Sequence, residues 1–333
     1  MPPRTIDLRD GHALFDILSF ARRGPGRTDR LSPAQIEQVA RTVRRVPEVM
    51  VKVSGGGTSA KGVVAHFKYL TRRPEFEIET DDGESLRGRA AVKGLVENWD
   101  LEFDAEESGS GYSGRPGRKP VKLVHNIVLS MPAGTSPSGL LAASQTFARE
   151  QFALKHRYGM VLHQDKDHPH VHLVVKATGE EGQRLNIRKA TLREWRSEFA
   201  RHLRAQGIAA NATSRAVRGV MRPQKPDSIY RAHKDDRSTH MYERQQCAAA
   251  DILARKIRAE SGKGDLLRTR ERVEQGWRAI GEVLRRDVKP DIASAVERFI
   301  KDMPPPQTER EWMAAQAQAD APHPKVKERP AAR

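Results

Sequence analysis

From residue 50 to residue 207 the apolar positions change period repeatedly, and each change marks an element. MVKVS (50–54) alternates as a short strand; GGGTSAKG follows as a flexible bend; VVAHFKYLTRR (63–73) spaces its apolar residues at 63, 64, 67 and 70, a helical interval. EFEIET and ESLRGR flank Asp82-Gly83, a hairpin signal. VKLVHNIVLSM (121–131) is the strongest buried-strand candidate, and SGLLAASQTFAREQFALKHR an amphipathic helix. YGMVLHQD, HVHLVVKAT and QRLNIR then predict three strands, before TLREWRSEFARHLRAQG predicts a helix that stops at Gly207. Strands joined by hairpins, with helices between, predict an α+β domain with a mainly antiparallel central sheet flanked by helices.

Outside that stretch the pattern thins. Residues 1–46 are basic and end in SPAQIEQVARTVRRV, where Ser32 and Pro33 read as N-cap and first helical position; this is expected to be an N-terminal arm. The core is placed at 47–217. Residues 218–333 predict a basic helical C-terminal extension, exemplified by GDLLRTRERVEQGWRAIGEVLRRDV and closing on a disordered APHPKVKERPAAR.

Composition narrows the partners. The 333 residues hold 59 Lys and Arg against 43 acidic side chains, a formal charge of +16 that favours a polyanionic partner. Cys247 stands alone, which excludes an intramolecular disulfide and a cysteine-based zinc site and fits a reducing compartment. No run reaches the roughly 18–20 apolar residues of a membrane span, and the charged N-terminus does not read as a signal peptide, so the expectation is a cytoplasmic protein with no membrane insertion.

Candidate chemistry is concentrated in HQDKDHPHVHLVVKA (163–177), which carries four of the chain's 12 histidines within ten positions. With Tyr158–Gln164 as one strand, Lys166–Pro169 as the turn and His170–Thr178 as the returning strand, period-two alternation sends His170 and His172 to one face. Val171, Leu173 and Val175 go to the other. His163 ends the incoming strand beside that pair, and three imidazoles converging on a rigid hairpin make a metal site with open coordination positions. Imidazole alone does not select the ion. Asp165 and Asp167 are placed either to accept a hydrogen bond from a ligand imidazole or to serve as turn residues; Asp167 is carried as the catalytic candidate.

HQDKDHPHVHLVV resembles the His-hydrophobic-His motif of the HUH endonucleases, and specifically that of conjugative relaxases, the mobilisation nucleases that nick DNA at a transfer origin. The resemblance extends to the upstream HFKYLTR, to HNIVLSMPAGTSP and to RLNIRKATLREWRSEFARHLRAQGIAANATSR, so that it covers roughly residues 48–218. The motif commonly carries Asn before Pro-His, where this chain has His168, whose role is left open. The resemblance implies Tyr69 as a nucleophile that forms a 5′-phosphotyrosine and releases a 3′-hydroxyl, conserving bond energy for rejoining. It implies a divalent cation, Mg2+ or Mn2+, on His163, His170 and His172, since a free phenol with a pKa near 10 attacks weakly by itself.

Tyr69 is further favoured by Lys68, Arg72 and Arg73 around it, which are expected to bind the DNA backbone, with Tyr112 as the alternative nucleophile. Arg184, Arg188, Lys189 and Arg193 are expected to extend a single-stranded DNA track, and Trp195, spaced with Leu192 and Phe199, is expected in the core rather than as a stacking platform. The implied partners are single-stranded and supercoiled transfer-origin DNA, relaxosome accessory proteins and the coupling protein of a type IV secretion channel, with passage into a recipient cell on the DNA. Two other classes stay open: an HUH replication initiator or transposase, against which the order Tyr69 then His163 argues, and a non-catalytic origin-binding accessory, which has no need of converging histidines.

Overall fold

The computed structural model describes residues 30–101, 103, 121–165, 167–220, 243, 246–248, 250, 251, 254, 260 and 262–319. Residues 1–29 of the expected arm, Tyr112 and the C-terminal end past 319 lie outside them. Among the described residues, contacts gather into two compact units, one over Ser32–Thr213 and one from Ser214 onward.

The first unit is built on six strands: β1 (Met50–Gly55), β2 (Ile78–Thr80), β3 (Ser85–Leu86), β4 (Val124–Ser130), β5 (Tyr158–His163) and β6 (His170–Lys176). They lie in the order β1-β4-β6-β5-β2-β3, and each pairing is antiparallel. The expected α+β class, a mainly antiparallel sheet flanked by helices, is the one observed.

Around the sheet stand α1 (Pro33–Val43), α2 (Ala60–Leu70), α3 (Gly88–Asn98), α4 (Pro137–Phe152) and α5 (Lys189–Ala205). Val171, Leu173 and Val175 of β6 pack with Phe147 and Phe152 of α4 and with Trp195, Phe199 and Leu203 of α5, so Trp195 is core, in edge contact with both phenylalanines. On the other face Val161, Val174 and Val124 pack under Val63, Phe67 and Leu70 of α2 and Val92, Leu95 and Val96 of α3. Both faces of β6 are therefore covered beyond His172, and its N-terminal end is left for chemistry.

Three local readings change. QRLNIR forms only an isolated bridge, Arg184 with Thr178; Leu185 and Ile187 alternate because they lean on the core, not because they join the ladder. Helix α3 begins at Gly88, φ +85, with no side-chain cap from Arg87, so no capping signal marks it; Gly83, φ +87, closes the hairpin before it. The glycine bend is closely packed: a Cβ on Gly56 would lie 2.3 Å from the Val124 carbonyl oxygen and one on Gly57 2.6 Å from Val63. Gly57 O also accepts from Leu123 N at 2.7 Å.

Helix α1 starts with a complete capping box between Ser32 and Gln35 and packs within the sheet unit. Asn211 Nδ2 donates to Thr42 Oγ1 and to Glu48 Oε1, each at 3.1 Å, and Arg196 donates to the Val51 carbonyl on β1 at 3.2 Å. The second unit contains α6 (Lys263–Arg286), α7 (Pro290–Lys301) and α8 (Glu309–Ala319). Trp277 of α6 meets Phe299 of α7 edge-on and donates from Nε1 to the Val217 carbonyl at 2.8 Å. Arg270 reaches the carbonyls of Gly219 and Pro304. No helix among the described residues is long and apolar enough to cross a membrane.

Candidate metal centre and nucleophile helix

The β5–β6 register places His163 opposite His170 and Val161 opposite His172. Paired residues share a face, so the three imidazoles meet on one side of the sheet, with ring centroids 4.7 to 5.3 Å apart. One ring nitrogen from each lies within 4.8 Å of the others, a group that could hold a metal ion.

Two backbone carbonyls orient these rings. His163 Nε2 contacts Leu70 O at 2.8 Å; a carbonyl only accepts, so Nε2 carries the proton and Nδ1 the lone pair. His170 Nδ1 contacts His168 O at 3.0 Å, which leaves the lone pair on Nε2. Orientation through the second ring nitrogen is the usual support of a ligating histidine. Burial lowers the pKa of His163, outweighing the Leu70 bond, and so favours the neutral, ligating form. Phe76 stacks on the same ring, centroids 4.4 Å apart and 21° between planes. His168 thus contributes its carbonyl, while its own side chain is exposed.

The nucleophile candidate stands next door. Tyr69 is in the last turn of α2, 61% exposed, one residue before the carbonyl that His163 holds. The Arg72 guanidinium lies 5.0 Å from the Tyr69 ring centre and donates to Asp165 Oδ2 at 2.5 Å. Burial of Asp165, its side chain 7% exposed, pushes its carboxyl up, but the Arg72, His163 and Arg73 charges and a backbone hydrogen bond together outweigh it, and the group ends below the ordinary range. Asp167 is exposed in the turn. The structure therefore brings Asp165, rather than the Asp167 favoured by sequence, against the histidines. Phe76 and the Leu70 carbonyl were also missed; the alternation of buried Phe76 and Ile78 in EFEIET was the available signal for the first.

The basic candidates divide. Lys68 is exposed on α2, and Arg73 pairs with Glu75 at 3.6 Å. Arg184 is not gathered at the histidines: it pairs with Thr178 past the far end of β6 and donates to Lys122 O at 2.7 Å. At about 3.4 Å per residue β6 alone spans some 20 Å between His170 and Lys176. Arg188, Lys189 and Arg193 begin α5, whose buried stripe packs on the opposite face from the imidazoles. At that far end His125 is pushed down to about 4 by burial and by the Lys122, Arg184 and His156 charges.

A second group of donors, unanticipated from sequence, joins Glu150 to Glu198 and His202 within 4.8 Å. Arg201 bonds Glu150 through both carboxylate oxygens at 2.8 and 2.6 Å and Glu198 Oε2 at 2.9 Å, while His202 Nε2 meets Glu150 Oε2 at 2.9 Å.

The T-DNA border endonuclease VirD2 of Rhizobium rhizogenes is 28% identical over 182 residues, covering 50% of this chain and 41% of its own. The VirD2 proteins of Agrobacterium fabrum and Rhizobium radiobacter match at the same identity over 50% of this chain and 40% and 42% of theirs. The chain thus spans about two fifths of the length of these relatives. A solved structure titled "Molecular Basis of Vancomycin Resistance Transfer in Staphylococcus aureus" aligns with 51% of this chain and 99% of its own at 16% identity, with a TM-score of 0.32, too low to add to the sequence match. Residues 88–208 match the family model of the MobA/VirD2-like nuclease domain of the relaxases, so this stretch is similar to that domain.

Proposed function

We propose that this protein is a DNA relaxase that nicks one strand at a transfer origin and later rejoins it. The observation that carries this reading is the meeting of His163, His170 and His172 on one face of the sheet, beside the helix end that exposes Tyr69. In the proposed step Tyr69 Oη bonds the scissile phosphorus and the P–O3′ bond breaks. The phenolic proton is given up, a proton is taken by the departing 3′ oxygen, and no redox partner or nucleotide is consumed. The 5′-phosphotyrosine keeps the bond energy, so the reverse attack by a 3′-hydroxyl restores the strand.

The donor set fits a divalent cation: three imidazoles, two with tautomers set by carbonyls. Such an ion, Mg2+ or Mn2+, would be held by His163, His170 and His172 and would supply charge neutralisation at the scissile phosphate. The chain's own groups do the rest. Lys68 and Arg73 attract the backbone, Asp165 and Phe76 hold the hairpin and His163 in place, and the closed core beneath keeps the imidazoles rigid. Arg184, Arg188, Lys189 and Arg193 serve a more distant segment of the DNA. Asp167, exposed, is left with a turn role.

We further propose that residues before Ser214 form the relaxase domain, and that the helical extension binds origin DNA and relaxosome proteins and presents the complex to a type IV coupling protein. This places the protein in the cytoplasm until it travels with the strand. The test is incubation with supercoiled DNA bearing candidate origins, followed by proteolysis. A nicked circle with a tyrosyl peptide on its 5′ end is expected; relaxed circles without bound peptide would overturn the reading.

A further inference from the structure

We propose that Arg72 is the positioning residue for the nucleophile: its guanidinium joins the Tyr69 ring to Asp165, and this link holds the tyrosine in attacking register with the imidazoles. The inference rests on the relaxase reading and deepens it.

The problem it answers is one of geometry. Tyr69 is exposed in the final turn of α2, and helix ends fray. An exposed phenol there samples several rotamers, whereas attack on phosphorus requires one. Arg72 restrains it three ways. One guanidinium nitrogen donates to the Tyr69 carbonyl at 3.3 Å, another to Asp165 at 2.5 Å, and the cation lies over the Tyr69 ring. The same group stands 5.6 Å from the centre of Phe76, which stacks on His163, whose Nε2 holds Leu70 O. Tyr69, Arg72, Phe76, His163 and Leu70 thus form a closed circuit between the helix end and the histidine hairpin. Asp165 anchors it: its side chain is 7% exposed, and its Oδ1 is buried without a hydrogen-bond partner among the described residues, so this carboxylate depends on Arg72.

A guanidinium so committed differs from a general phosphate contact. Arg suits the arrangement because its planar fork donates in two directions while its face covers a ring; Lys has one donor centre and no such plane.

The experiment uses the full chain and an origin oligonucleotide on which the wild type forms adduct and Tyr69→Phe does not; failure of that control would sink the relaxase reading itself and is read separately. With it in place, Arg72→Gln is expected to slow single-turnover adduct formation about 100-fold, the scale of a 1 Å misplacement. Oligonucleotide affinity and its salt slope should stay at wild-type values. Arg72→Lys should rescue little, Asp165→Asn should show the same loss, and the double variant should lose no more than either single. The 19F resonance of fluorotyrosine at 69, assigned by its absence in Tyr69→Phe, should broaden or shift in Arg72→Gln. Wild-type adduct rates, a loss explained by affinity with a salt slope lower by roughly 0.7, or additive losses would each overturn the proposal.

Discussion

Among the described residues two clusters each bring three potential metal donors within 4.8 Å of one another, and they differ in how well they suit an ion. Around Glu150, Glu198 and His202 a guanidinium already occupies the centre: Arg201 bonds both carboxylates, and its hydrogen bonds to Glu150 hold that carboxyl below its ordinary pKa. Around His163, His170 and His172 the donors are imidazoles, and backbone carbonyls turn two of them so that lone pairs are presented. Proximity alone does not distinguish the clusters. What does is whether the positive charge has been built into the fold or left to be supplied.

The largest expected effect comes from removing the group the histidine cluster is proposed to serve. Tyr69→Phe should abolish the covalent DNA adduct on a denaturing gel while single-stranded DNA binding persists; an adduct in that variant would shift the nucleophile to Tyr112. Next, His170→Ala or His172→Ala should remove both Mn2+ binding by calorimetry and adduct formation, and a chelator should do the same to the wild type. His168→Ala should be mild, because the carbonyl that orients His170 survives the substitution. Equal loss at all three positions would contradict the assignment.

At the other cluster Arg201→Met should leave Mn2+ binding and cleavage unchanged while lowering unfolding stability by about 2 kcal/mol, since buried Glu198 loses a charged partner. If Glu150→Gln instead weakened metal binding, the contrast between the clusters would fail.

The smallest effect concerns pH. His125 has a folded pKa of about 4 against an ordinary value near 6.5, so below that value the unfolded chain binds the extra proton. Its contribution to stability is present above about pH 6.5 and is lost as pH falls toward 4. Denaturant midpoints of His125→Gln should therefore decline less than wild type over that window, and parallel curves would count against the assignment.

The histidine hairpin was legible because two signals coincide there. Alternation fixes the faces, and the His163 to His170 spacing fits a short turn. The helix bearing Tyr69 was equally plain, but the role proposed for Tyr69 came through resemblance, since no periodicity marks a nucleophile. Asp165 and Asp167 could not be separated in advance: both are polar turn residues, and only the folded turn shows that one faces Arg72 and the other solvent. Arg184 misled for a related reason. Closeness in sequence to the hairpin says nothing once a strand of some 20 Å intervenes.

The outer strands of the sheet bear on how the protein behaves in company. At one margin β3 is two residues long. At the other, Arg196 caps the Val51 carbonyl, and Glu48, just before β1, bridges to Asn211. A strand margin with bare amides and carbonyls is a template for pairing with a neighbouring chain, and shortening or capping it is how sheets resist self-association. Removing the Arg196 cap would expose an adhesive margin, and the consequence would be read as turbidity on concentration rather than as any loss of chemistry.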